Sequence, residues 1–487
     1  MKQRTLPLLG GLAVISALIL TNCGSDGEPG KEGTYNDNAS ASSPDSLCIV
    51  NPSWFPHAQT PAPAEGKGSP FDASSTTNQI FHQWSWNKFL WLTKPDKGGN
   101  PLFLNTSKVK QVTSTMLPIS VPDSTLVVLQ DTAQAGSSAL LQTNPGYNNG
   151  VGGKVYYSIH MNPLMYDAAV AFGLGIKNGI IKPTNDKVFP VGSFELKVAW
   201  VPISAIPQSK QSLYYTTTAS LSTNAGKSFT NTKVALIGMH VVGIVENHPE
   251  FIWATFEHDD LSPDYDWKAK SASSDLDQLL FKKGSVTGIG GITYNSTSQL
   301  GNTPNQVFDL FQYGVPLDSD GNFMMNTSQS GSAEFQNIDG INQCVKSQLD
   351  DVWANYFYNG SIWLNMDGTT HAQQAQIIDS LGNNMGNATT GSYARGSLNC
   401  ANVTMESFTQ TFEDSIQAIN VNNLVNCFTC HSSSQKDKAT KQTITSPLYI
   451  SHVFRDYVRL KQGATPKQIE EFKSAEEQRI LKFVRAR

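Results

Sequence analysis

The chain predicts an α+β fold, an antiparallel β-rich body followed by a small helical C-terminal segment. Three observations carry this. From Val109 to Val128 and from Lys154 to Phe256, short runs of β-branched and aromatic residues are separated by Asn, Gly and Pro. Upstream, Gln79 to Leu92 is the densest aromatic stretch in the chain, with helical spacing. From Asn402 onward, apolar residues recur at spacings of three and four instead. Four parts follow: 1–22, an export signal; 23–46, a flexible tether; 47–400, the β-rich body with its N-terminal aromatic helix; and 401–487, the helical segment.

Lys2 and Arg4 precede a largely apolar, uncharged run from Leu6 to Leu20, too short to span a bilayer comfortably but suited to a signal-peptide core. Leu20-Thr21-Asn22-Cys23 then resembles a bacterial lipobox, in which Cys23 is lipidated and becomes the mature N-terminus; Asn22 departs from the usual small residue. Gly24 to Ser46 has no sustained apolar pattern and reads as a spacer. Charged residues are 15% of the chain against ~25% in typical domains. The net charge of −5 implies no nucleic-acid partner.

Within the aromatic helix, Ile80, Trp84 and Trp91 share one face, and Phe81, Trp86, Phe89 and Leu90 broaden it, the pattern of a buried helix. The strands are Val155-Ser158, Ser193-Val201, Leu213-Leu221, Val234-Val245 and Phe251-Phe256. A hairpin with a four-residue turn, Glu246-Asn247-His248-Pro249, sets His240 opposite Thr255 and His258 opposite Ile237. His240 and His258 then lie on opposite faces, so a shared metal or proton-transfer site there needs a bulge or another turn length. His57, His82, His160 and His371 are isolated and read as structural or surface residues. Gly284 to Gly340 reads as loops and short strands. Among Cys48, Cys344 and Cys400, any one disulfide is open to an exported chain.

The C-terminal segment holds the most specific motif, Cys427-Phe428-Thr429-Cys430-His431. Two thiols three positions apart can each add to a haem vinyl group, and the adjacent His can ligate the iron. Six Cys and nine His in 487 residues make about 0.001 chance copies. A zinc half-site would need a second pair of ligands at suitable spacing, which the sequence lacks. One covalent haem c is therefore the expected cofactor, held by Cys427, Cys430 and His431. Candidates for the sixth iron ligand are Met405, on an inward stripe with Phe408 and Phe412, and His452, which lies off the Ile450, Phe454, Tyr457, Leu460 stripe unless it occupies the first helical turn. Thr465-Pro466-Lys467-Gln468 opens a last helix with a capping box. After His431 there are twelve Lys or Arg against six Asp or Glu, a basic surface suited to an acidic redox partner or to plain solvation.

The lipobox-like start, the Trp84/Trp91 helix, the His240 to His258 segment and the late Cys-x-x-Cys-His together resemble large cytochrome c-like lipoproteins of bacteria. The resemblance implies one covalent haem c on an exported, lipid-anchored protein of the cell envelope, at the periplasmic or surface face of the outer membrane. The expected function is electron transfer with a redox partner protein. The alternatives are a haem oxidoreductase, peroxidase-like, with an open sixth position, or a non-redox surface binding lipoprotein; no catalytic residue is assigned.

Overall fold

The computed structural model describes residues 50–75, 78–119, 126–134, 137–138, 141–182, 186–224, 226–262, 272–273, 276–280, 283, 286–287, 294–295, 300–301, 333–381, 393–396, 402–406, 427–436 and 443–485. All belong to the unit Pro44–Arg487. The signal peptide, Cys23, the tether, Cys48, Cys400 and most of the stretch 284–340 lie outside them.

The aromatic stretch forms α1, Asn78–Thr93. Phe81, Trp84, Trp86, Phe89, Leu90 and Leu92 are fully buried, whereas Ile80 and Trp91 are only partly so; the covered surface is rotated from the stripe the sequence suggests. A fully buried Phe or Leu stabilises by about 1.5–3 kcal/mol, so α1 is a core element. It packs on a nine-stranded sheet: β1 Lys110–Val112, β2 Val127–Leu129, β3 Tyr156–Met161, β4 Phe194–Pro202, β5 Thr216–Leu221, β6 Thr230–Val245, β7 His248–His258, β8 Tyr356–Leu364 and β9 Ala394–Gly396. The order is β1-β3-β4-β6-β7-β8-β9, every neighbour antiparallel. At its far end β6 pairs β5, which pairs β2 in parallel.

Helices cover both faces. On one, α1 and α3, Ala333–Lys346, close a core that includes Leu196, Val198, Met239, Val241, Phe256 and Tyr358. Gly243 admits Trp84 there, since a Cβ would lie 2.7 Å from its ring. On the other lie α2, Pro163–Lys177; α4, His371–Ser380; α5, Cys427–Cys430; and α6, His452–Lys461. The last helix, α7, Pro466–Arg485, begins with the capping box as expected: Thr465 N–H donates to Gln468 Oε1 at 2.9 Å, and Gln468 N–H to Thr465 Oγ1 at 3.2 Å. The fold is thus α+β around an antiparallel sheet, and the C-terminal helices share their core with its strands. No helix among the described residues is long and apolar enough to cross a membrane.

Three helices within the stretch read as the β-rich body, α2, α3 and α4, were missed. Asn162 caps α2 through Met165 N–H and Pro163 opens it; Thr370 and Gln373 form a capping box on α4. Both signals stand in the sequence.

The β6–β7 hairpin keeps the predicted register, His240 opposite Thr255. Its turn is shorter than predicted: Val245 pairs His248 across Glu246 and Asn247, with a bulge between Gly243 and Val245. The bulge lies beyond both histidines along the ladder and leaves His240 and His258 on opposite faces.

Candidate functional site

Register places the site. Met161, Glu195, Val242, Trp253 and Ile362 form one cross-strand row, and Ile159, Lys197, His240, Thr255 and Gly360 the next on the same face. The Cys-x-x-Cys-His run lies over the first row. Its α5 is a single helical turn extended by His431, whose N–H donates to the Cys427 carbonyl at 2.8 Å. Phe428 is fully buried in the core with Trp253 and Leu448, and Ser433 Oγ donates to the Ile378 carbonyl of α4 at 2.6 Å. Cys427 is half-buried and not in a disulfide; Cys344 is disulfide-bonded.

Neighbours on several elements set the His431 ring. Nδ1 lies 2.9 Å from the Ile450 carbonyl, and because a carbonyl only accepts, Nδ1 carries a hydrogen; in the neutral imidazole the lone pair is then on Nε2. The Trp253 ring is 4.3 Å away, tilted by 48°. The His452 ring stacks on it at 4.0 Å and 15°. His452 is the first residue of α6, the first-turn position under which it can reach the site despite lying off the apolar stripe.

The turn 450–452 is itself held. Ser451 caps α6, its Oγ accepting Phe454 N–H at 3.2 Å, while its hydroxyl donates to Glu195 Oε2 at 2.8 Å. Burial pushes the Glu195 carboxyl up to about 7, against the opposing pull of the Ser451 hydrogen bond and of Lys197. In the next row, His240 Nε2 meets Glu406 Oε1 at 2.9 Å, and Glu406 Oε2 accepts Asn402 N–H at 2.6 Å.

Met405 is elsewhere. It is buried in a separate core cluster with Tyr157, Ala235 and Ile237, on a turn spanning Asn402 to Glu406; the rest of its predicted helix lies outside the described residues. The structure therefore brings His452, and not Met405, to His431. Other histidines have their partners away from this site: His57 meets Asp351 Oδ2 at 2.5 Å, His82 meets Tyr358 Oη at 2.6 Å, and His248 meets Glu250 Oε1 at 2.8 Å. His258 stacks on Tyr214 at 3.6 Å and bonds the Leu213 carbonyl at 3.0 Å.

Sequence reasoning missed Trp253, Ile450, Ser451 and Glu195. Only Ser451 had a signal, as a capping residue ahead of an apolar stripe. The positive tail is also less available than its composition suggests. Arg455 and Arg459 are buried, and Arg459 pairs Asp456 at 2.8 Å. Among the described residues no three His, Cys, Asp or Glu side chains converge on one point as metal ligands would. Comparisons with protein-family models, with curated proteins and with solved structures find no match for this chain, so its site is read from its own residues.

Proposed function

We propose that this chain is an exported c-type haem protein working in electron transfer, with one haem c bound through Cys427 and Cys430 and with His431 as axial iron ligand. The observation that carries the reading is the His431 Nδ1–H to Ile450 carbonyl bond. It fixes the tautomer that aims a lone pair from Nε2 and raises the basicity of that nitrogen, the usual outer-shell support of a ligating imidazole. Cys427 and His431, one turn apart, suit the thioether and the axial bond. Bound haem supplies a one-electron iron couple. The chain's part is to orient the imidazole, to pack Trp253 against it and to leave Cys427, His431 and His452 half-buried, so that the site stays near the surface where a partner docks.

Export belongs to the same reading. Cys23 as lipid anchor would tether the body to the cell envelope, and the Cys344 disulfide fits an oxidising compartment. The partner is a redox protein, and the remaining tail lysines, among them the exposed Lys467, favour an acidic one.

One observation favours a second reading, a haem oxidoreductase with an open sixth position. His452 lies over the face of the His431 ring and Met405 sits in another core cluster, so neither candidate side chain is placed beyond the Nε2 edge, where it would help to hold the group.

Protein matured in a host with haem c assembly machinery should retain haem stain on a denaturing gel, and a Cys427→Ser, Cys430→Ser double variant should not. An unstained wild type refutes the haem reading. Carbon monoxide added to the reduced protein separates the two functions: an unchanged spectrum supports the carrier, and a shifted one the enzyme.

A further inference from the structure

We infer that Glu195 is the positioning residue of the His431 imidazole, acting through Ser451 on the turn that holds the ring. The inference rests on His431 being the iron ligand and extends that reading to a residue 236 positions earlier in the chain.

The turn 450–452 touches His431 twice, through the Ile450 carbonyl at Nδ1 and through the His452 ring on the imidazole face. Ser451 is the residue between those two contacts. Its side chain bridges two elements: Oγ accepts Phe454 N–H and so starts α6, and the hydroxyl hydrogen goes to Glu195. Glu195 in turn is fixed by the sheet. It is the second residue of β4, flanked across the ladder by Met161 and Val242, two strands from Trp253 in the same row. A rigid sheet, one carboxyl and one hydroxyl thus set the direction of the bond that determines the His431 tautomer.

A carboxyl so placed carries a charge that the iron would feel. Burial holds it near the middle of the physiological range, at about 7. On the elements next to it, the ionisable residues nearest by register or along the chain are Lys197 on its own strand, His240 across the ladder from Lys197, Lys110 across from Met161, and His452 and Arg455 on α6 beside Ser451. Only Lys197 is among the causes that set its ionisation. Loss of the Glu195 proton adds a negative charge close to the site and favours ferric iron. The potential should therefore fall as pH rises through about 7 and level off on either side.

The test uses the full chain with haem attached and measures the midpoint potential from pH 5 to 9, together with the optical spectrum. Glu195→Gln keeps an oxygen acceptor for the Ser451 hydroxyl but cannot ionise. It should keep the wild-type spectrum and lose the pH dependence near 7. Glu195→Ala removes the acceptor as well and should change the spectrum of the axial ligand. A Glu195→Gln protein that titrates like wild type overturns the inference, as does a Glu195→Ala protein with the wild-type spectrum and potential. Wild type without covalent haem overturns the parent reading along with it, and is distinguished by the absence of stain before any variant is compared.

Discussion

At the scale of single residues, the site depends on close approaches that the sequence does not announce. Gly238 lies on β6 two residues from His240, and a Cβ built there would stand 2.4 Å from Thr404 Oγ1 and 3.0 Å from Asn402 Oδ1. The missing side chain lets the 402–406 turn lie directly on the sheet. Asn402 Nδ2 then donates to Thr255 Oγ1 and the Phe256 carbonyl, and Glu406 reaches His240. Gly238→Ala should cost about 1–3 kcal/mol, the usual penalty of overpacking a filled contact. Equilibrium denaturation would check this, and a variant as stable as wild type would show that the turn lifts without loss. In a sequence, Gly inside a strand reads only as a weak position. Nothing in the sequence marks the partner, 166 residues away, that makes Gly238 necessary.

At the scale of elements, α6 joins the site to the body, and its charges are part of the core. Asp456 is almost fully buried between Arg459 at 2.8 Å and Lys473 at 3.8 Å. Burial raises its carboxyl, and Arg455, Lys473 and Arg459 pull it back down. Removing it with Asp456→Ala takes the Asp456 carboxylate away from the buried Arg459 guanidinium, a loss of about 3–5 kcal/mol. Urea denaturation should find that loss; a change under 1 kcal/mol would mean that water reaches these groups. The apolar stripe of α6 was legible because period alone determines it. The burial of Arg455 and Arg459 was not, because composition assigns Lys and Arg to the surface, and only the packing of α6 against α2 and α7 overrides that. The hairpin divides in the same way. Alternation determined the faces of His240 and His258, while the turn length depended on a bulge that leaves no mark in the residue pattern.

At the scale of the whole molecule, the antiparallel sheet and its aromatic helix were legible from local pattern. The row uniting Glu195 with Trp253 was not, since it is a product of register across three strands and has no local signature. The same long-range burial governs the response to acid, where two sets of groups oppose each other. His160 and His258 are buried, which lowers them from 6.5 to about 3 and about 4. The unfolded chain therefore binds protons at these residues first, and they cost stability as pH falls from about 6.5 toward 3. Glu195 and Asp379 are raised by burial from 4.5 and 3.8 to about 7. There the native state binds protons first, so their contribution is full below the unfolded values and is lost as pH rises through about 7. Between about 6.5 and 4.5 the two sets offset each other, and the melting temperature of wild type should change little. Below about 4.5 the carboxyl gain is nearly complete while the histidine loss continues, and stability should drop. A Glu195→Gln, Asp379→Asn double variant removes the counterweight. It should be the more stable protein above pH 7, where wild type keeps two carboxylates ionised against burial, and should lose that advantage steadily as pH falls to about 4.5. Melting curves of the two proteins at half-unit intervals test this directly; parallel curves from pH 7 to 4.5 would show that these carboxyls do not set the acid response.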